Sequence, residues 1–330
     1  RGSEAPRCVM VREYSAGVVV SEQLRELPRN LPRRRRKKGK RMLYTSLSGN
    51  ERLGETVYKG HRSYELMVNL QLGIRHSVGR LAARGAPSEV VGSDFRAKVK
   101  VSFPRTGGPT TPPHSSGDFK WKDYCPAVFQ ELRALFGVDT GDYMLSVCGD
   151  KALSQMGSPG KSGSVFFISD DDRFIIKTMR KHECKLLMEM LPRYHAHVRK
   201  YPQTLLTRFL GMYRVKPSGG RNVRFVVMGN LFCTDLRIHR RYDLKGSTQG
   251  RLTAPDKQLK STTILKDLDL PVVFKMEATW REKLMRQMVH DCHLLERCRV
   301  MDYSLLLGVH YRDAANGEGG GGAEARQQGE

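Results

Sequence analysis

Two short apolar runs, Ser164-Val165-Phe166-Phe167-Ile168 and Arg173-Phe174-Ile175-Ile176-Lys177-Thr178, flank the acidic triplet Asp170-Asp171-Asp172. Runs so rich in β-branched and aromatic residues, joined by a turn-forming cluster, commit this region to antiparallel strands. Ahead of them, Gly157 to Gly163 reads as a glycine-rich loop and Tyr143 to Cys148 as another strand. The second run ends in Lys177. A lysine closing a buried apolar run needs an anionic partner or a route to water.

Around this hairpin the pattern alternates between the two periodicities. Met67, Leu70, Ile74, Val78 and Leu81 recur at helical spacing, with Gly79 and Gly85 near the end. That stripe suits a core helix or a dimer-forming one. Residues 104–118 are a Pro/Gly/Ser/Thr-rich loop, and Pro126 to Phe136 reads as a helix with Val128, Leu132 and Leu135 on one side. A further helix carries Leu186, Leu187, Met190 and Leu191, and Pro192 is expected to stop it. Strands are expected at 209–215 and 223–229 around the turn Ser218-Gly219-Gly220. A loop then runs to about residue 270, followed by a helix from Thr279 to Cys298 with Trp280, Leu284, Met288, Cys292 and Leu295 on one face.

Both ends differ in character. Residues 1–55 include Arg33-Arg34-Arg35-Arg36-Lys37-Lys38 and Lys40-Arg41, a block of like charge expected to stay solvated. It suits a plain linker, a nuclear-import signal or a phosphoinositide-binding patch. After Arg312 the chain becomes a glycine-rich polar tail that cannot form a core.

The net charge of +23 calls for a polyanionic partner: nucleic acid, an anionic membrane surface or phosphorylated substrates. No aromatic-basic interleaving accompanies the basic run, which argues against nucleic acid. No apolar run approaches the roughly eighteen residues of a membrane span, and the basic N-terminal stretch lacks the form of a secretory signal. Seven scattered cysteines with no Cys-x-x-Cys pair argue against a disulfide framework or zinc site and fit a reducing compartment.

Several residues point to phosphate chemistry. Pro159-Gly160-Lys161-Ser162-Gly163-Ser164 resembles a P-loop, but Gln155 stands where the Walker pattern needs glycine, and a strand rather than a helix follows. Strand, glycine loop, strand is how protein kinases cover ATP phosphates, although a plain hairpin turn has the same pattern. In that layout Lys177 would hold phosphates, steadied by Glu183 or Glu189. Val227-Met228-Gly229-Asn230-Leu231 would lie at the adenine. Asp302, in Met301-Asp302-Tyr303-Ser304-Leu305, follows a long helix and precedes an apolar strand, as a kinase catalytic-loop aspartate does. There is no His-Arg-Asp and no Asp-Phe-Gly. Finally, Tyr242-Asp243-Leu244-Lys245-Gly246-Ser247-Thr248, with Arg240-Arg241 before it and Arg251 after, gathers an acid, an amine and a flexible turn among guanidiniums.

These stretches together resemble the phosphatidylinositol phosphate kinases, closest to the phosphatidylinositol 4-phosphate 5-kinases of plants and green algae. The likeness rests on Lys59–Met67 with Gln71–His76, Asp118–Tyr124, Ser158–Phe167, Asp171–Thr178, Phe225–Phe232, Arg237–Gly250 and Val300–His310. Asp-Leu-Lys-Gly-Ser and Met-Asp-Tyr-Ser-Leu-Leu are its most specific parts. The resemblance implies an α+β, two-lobed fold distantly like protein kinases, with antiparallel sheets and flanking helices. The lobes would be 56–231 and a partial 232–312, between a basic segment 1–55 and a tail 313–330.

It further implies an ATP- and Mg2+-dependent lipid kinase that converts phosphatidylinositol 4-phosphate to the 4,5-bisphosphate. By position, Gly160, Lys161, Ser162, Gly163, Ser164, Lys177, Met228 and Asn230 would hold nucleotide. Asp302, Asp243 and Lys245 would serve catalysis, and Lys245, Arg251 and Arg241 the headgroup. Family members continue to a second metal-binding aspartate and a basic activation loop, neither of which follows Arg312. A non-catalytic phosphoinositide-binding module and a kinase for another monophosphate are therefore the alternatives. The implied setting is the cytosolic face of the plasma membrane, with a homodimer as the assembly and the nucleus as a second location allowed by the basic run.

Overall fold

The computed structural model describes the backbone of residues 8–15 and 18–26 and, with side chains, residues 54–83, 85, 89–156, 164–254 and 263–311. The basic run 33–41, the glycine loop 157–163 and the tail from 312 lie outside the described residues. The chain divides into two units, 1–43 and 44–330.

In the first unit, β1 (Cys8–Ser15) and β2 (Val18–Glu26) form an antiparallel hairpin with an irregularity at Glu13/Tyr14. The segment ahead of the basic run therefore contains two strands. Both runs carry valines, so strand propensity outweighs the nearby charge.

The second unit begins with β3 (Glu55–Thr56), α1 (Tyr64–Ala82), β4 (Lys98–Phe103) and β5 (Phe119–Tyr124). Then follow α2 (Pro126–Leu135), α3 (Thr140–Cys148), β6 (Ser154–Met156), β7 (Phe166–Ile168), β8 (Phe174–Met179), α4 (Lys181–Lys200), β9 (Phe209–Pro217) and β10 (Val223–Gly229). The strands form one antiparallel sheet in the order β3-β6-β7-β8-β10-β9-β5-β4.

Alternation along each strand splits the side chains between two cores. On one face Trp121, Tyr213, Phe225, Phe174 and Ile176 pack against Leu70, Ile74 and Val78 of α1 and against Tyr143 and Val147 of α3. On the other, Tyr124, Met212 and Val226 pack against Val128 and Leu132 of α2 and Leu187, Leu191 and Tyr194 of α4. The α1 stripe is spent internally, so it makes a core helix. Gly73 in that helix lies so close to the Trp121 ring that a Cβ would come within 2.2 Å of it. Burial pushes the Cys125 and Cys148 thiols up to about 12, and every described cysteine from Cys125 onward is free.

A smaller sheet has β11 (Arg240–Leu244) at its centre, paired in parallel with β12 (Ile264–Leu265) and antiparallel with β13 (Leu305–Val309). A 3-10 turn, Asp267–Asp269, and α5 (Ala278–Arg297) lie between β12 and β13. The stretch expected as loop up to residue 270 therefore contains a strand and a turn.

Three local expectations are corrected. Tyr143 to Cys148 is helical, because Asp139 caps α3 by accepting the Asp142 N–H at 2.9 Å. Helix α4 runs through Pro192 to Lys200, because its buried face continues past the proline through Tyr194 and Val198. In α5 the buried positions are Asp291 and Leu294, whereas Trp280 is exposed and Leu284, Met288, Cys292 and Leu295 are half-buried. Leu135 of α2 and Leu186 of α4 are exposed.

Candidate active site

Two polar clusters stand out, one on each sheet. On β8, Phe174 and Ile176 point into the α1/α3 core, so Lys177 points to the opposite face, towards α4. Its Nζ lies 3.9 Å from Glu183 Oε1 and 5.8 Å from the Phe166 ring centroid. Glu183 is fixed by its other oxygen, which accepts the Arg180 N–H at 2.6 Å and caps α4. Glu189 pairs instead with Lys185, one turn earlier on the helix. Ser164 is buried beside Val165, whose N–H donates to Thr178 Oγ1 at 2.8 Å and whose carbonyl accepts the Thr178 N–H at 2.9 Å. Gly160, Lys161, Ser162 and Gly163 lie outside the described residues.

Met228 and Asn230 sit at the end of β10. Asn230 is taken up by local structure. Its N–H donates to Arg173 O, its side-chain amide to Asp172 O at 2.7 Å, and its Oδ1 accepts the Phe232 N–H. Half-buried Met228 lies opposite Ile175 and Phe209.

The second cluster forms where β11 ends. Pairing of Leu244 with Leu305 brings the chain after β11 beside the chain before β13. Lys245 Nζ there donates to Asp302 Oδ1. Asp302 has a left-handed backbone, φ 59°, which a short aspartate tolerates better than most residues. Its side chain is 80% exposed, and the Lys245 ammonium holds its carboxyl below the usual range.

Arg251 is fixed at both ends of its guanidinium. Nε donates to Asp267 Oδ2 at 2.7 Å, and Nη2 donates to Asp243 Oδ1 at 3.0 Å and to the Asp243 carbonyl. The Asp243 carboxylate thus engages Arg251 rather than Lys245. Arg241 is buried, with its guanidinium 5.6 Å from the Phe232 ring centroid. Asp267, which sequence reasoning missed, also accepts the Lys245 and Gly246 N–H groups. Its only sequence signal is the acid–apolar–acid turn Asp267-Leu268-Asp269.

The large sheet adds a third feature. Lys100, Lys122, Arg214 and Arg224 align directly across β4, β5, β9 and β10. Burial, followed by the neighbouring charges of Arg214, Lys100, Lys98 and Arg224, lowers the Lys122 ammonium below its usual range. Lys98, Lys120 and Lys216 extend the same face.

A family model described as phosphatidylinositol-4-phosphate 5-kinase matches residues 147–329. Phosphatidylinositol 4-phosphate 5-kinase 9 of Arabidopsis thaliana is 53% identical over 307 residues, covering 92% of this chain and 37% of the relative. Phosphatidylinositol 4-phosphate 5-kinase 1 of Oryza sativa subsp. japonica is 50% identical over 315 residues, covering 92% and 39%.

The chain belongs to the phosphatidylinositol-4-phosphate 5-kinase family.

It spans under two fifths of the length of these curated relatives. The family match takes in Lys177, the loop from Asp243 to Arg251, Asp267 and Asp302, so both clusters belong to the family domain. The mixed α+β architecture agrees with that membership. Among the described residues, no helix is long and apolar enough to cross a membrane.

Proposed function

We propose that this chain is an ATP-dependent lipid kinase that phosphorylates the 5-hydroxyl of phosphatidylinositol 4-phosphate. The observation that carries this reading is the Lys245–Asp302 pair, joined across paired strands beside a doubly anchored Arg251. Asp302 is ionised and open to solvent, so it can orient the attacking hydroxyl and accept its proton. The ring oxygen forms a bond to the γ-phosphorus as the bond to the β-bridging oxygen breaks, and ADP leaves. Lys245 offsets charge on the transferring group, and Arg251, held by Asp267 and Asp243, adds positive charge beside it for a ring phosphate. Lys177, steadied by Glu183, holds the ATP phosphates on the other lobe.

Among the described residues no group of three His, Cys, Asp or Glu could hold a metal ion. Mg2+ keeps several waters and needs few carboxylates. It would arrive with the nucleotide phosphates. The cation row across the large sheet supports peripheral association with an anionic cytosolic leaflet, since each basic residue near such a surface contributes about 1 kcal/mol.

Vesicles carrying phosphatidylinositol 3-, 4- or 5-phosphate, with labelled ATP and Mg2+, test the reaction. The 4-phosphate should give the 4,5-bisphosphate, and Asp302→Asn should lower turnover by about 100-fold or more. Near-normal turnover by that variant sinks the role of Asp302. Vesicle binding without phosphate transfer by the unaltered chain sinks the enzyme reading in favour of a binding module.

A further inference from the structure

We infer that Asp267 is the positioning residue of the lysine loop, holding Lys245 and Arg251 in one geometry through a single carboxylate. The inference rests on the proposed site at Lys245 and Asp302.

Asp267 opens the 3-10 turn that follows β12. Parallel pairing of Arg241 with Ile264 and Tyr242 with Leu265 sets this turn beside the end of β11, where the lysine loop begins. Its Oδ1 accepts two consecutive backbone N–H groups, those of Lys245 and Gly246, each at 2.8 Å. Its Oδ2 accepts Arg251 Nε at 2.7 Å. The same carboxylate therefore grips the loop where it opens and where it closes. Two further bonds tighten the closure: the Arg251 N–H donates to Thr248 O, and the Leu268 N–H donates to Arg251 O.

The turn at Gly246 has φ +69°, a conformation open to glycine and strained for most residues. Two adjacent N–H groups aimed at one oxygen require such a sharp turn, and an anion at its focus stabilises it. The Asp267 side chain is 15% exposed. Arg251 first, then the two amides, hold its carboxyl well below the usual carboxylate range, so it stays ionised as the shared acceptor of the loop. It works through Lys245 and Arg251: its bonds go to the Lys245 and Gly246 backbone and the arginine Nε, and the Lys245 ammonium is bonded to Asp302 instead. Removing the carboxylate leaves the lysine in the chain but frees the backbone that aims it.

Asp269 provides a matched control two residues on. It accepts the Thr253 N–H at 3.2 Å, the Thr253 hydroxyl at 2.5 Å and the Lys266 N–H at 2.8 Å, fastening the same turn through Thr253 and Lys266.

The experiment compares Asp267→Asn and Asp269→Asn in the full 330-residue chain by hydrogen exchange and by lipid kinase kinetics. Asp267→Asn should speed exchange of the Lys245 and Gly246 amides at least about tenfold, whereas Asp269→Asn should leave those two amides within about twofold of the unaltered chain. On phosphatidylinositol 4-phosphate vesicles, Asp267→Asn should lower kcat about tenfold or more with the KM for ATP within about twofold, because Lys177 and Glu183 are untouched. Asp267→Glu should not restore kcat, because its extra methylene cannot seat both amides and Arg251 together. Unchanged exchange at Lys245 and Gly246 in Asp267→Asn overturns the inference whether or not the chain turns over. Absence of turnover in the unaltered chain, with exchange faster as expected, overturns only the functional reading. Equal kcat losses in the Asp267 and Asp269 variants would mean that general loosening of the turn explains the effect, and would also overturn the inference.

Discussion

Asp123 lies in β5 with 4% of its surface exposed, facing Ser77 and Arg80 from α1 and Arg133 from α2. Burial pushes its carboxyl up to about 7, outweighing the Ser77 hydrogen bond and the two arginines. The folded chain therefore keeps a proton that the unfolded chain releases near pH 4. Between about pH 4 and 7 the native state binds more protons, so stability falls as pH rises through that window and levels off above it. The span is on the order of 4 kcal/mol. Asp123→Asn should flatten this dependence, raising the melting temperature at pH 8 and leaving it nearly unchanged at pH 4. A variant that melts like the unaltered chain at both pH values refutes the assignment. At this scale the sequence was informative where chemistry is local. Lys177 closes an apolar run and Asp302 sits between a helix and a strand, placements visible in the sequence itself. Asp267 has no such placement, because its partners are 16 to 22 residues away and it meets them only after β11 and β12 pair.

The elements repeat the contrast. Strands β7 to β10 were legible because alternation and turn residues are short-range signals. Helix α3 was misread because Tyr143, Val147 and Cys148 suit a strand as well as a buried helix face. Asp139, three residues before Asp142, was the cap signal that would have decided it. Pro192 shows the limit of a propensity rule: its missing N–H costs less than abandoning Tyr194, His195 and Val198, which are all buried. Between elements, Asp291 of α5 is the point that periodicity could not find. His197 of α4 lies 2.6 Å from its Oδ1, and Thr204 Oγ1, Gln287 Nε2 and the Leu205 N–H all donate to the same carboxylate. Asp291→Ala strips one acceptor from four partners and should cost about 3 kcal/mol or more in a urea melt. A loss below about 1 kcal/mol would show that the helices hold together without it.

At the scale of the molecule, the net charge suits a polyanionic partner, and sheet register lines part of that charge along one face. Lys122 and Arg214 sit at the centre of the cation row. Replacing both with glutamate should weaken binding to phosphatidylserine vesicles about tenfold or more at low salt, with the difference shrinking as salt rises. Equal binding by the double variant would move the membrane contact elsewhere. The pairing that builds this row also orders events in time. Trp121 must wait for Val215 before β5 gains its second neighbour, and Glu55 must wait for Gln155. On the ribosome, α1 emerges with Leu70, Ile74 and Val78 long before Tyr213 and Phe225 exist to cover them. The helix that covers one face of the finished sheet therefore carries an uncovered apolar stripe through much of synthesis, the kind of surface that chaperones shield.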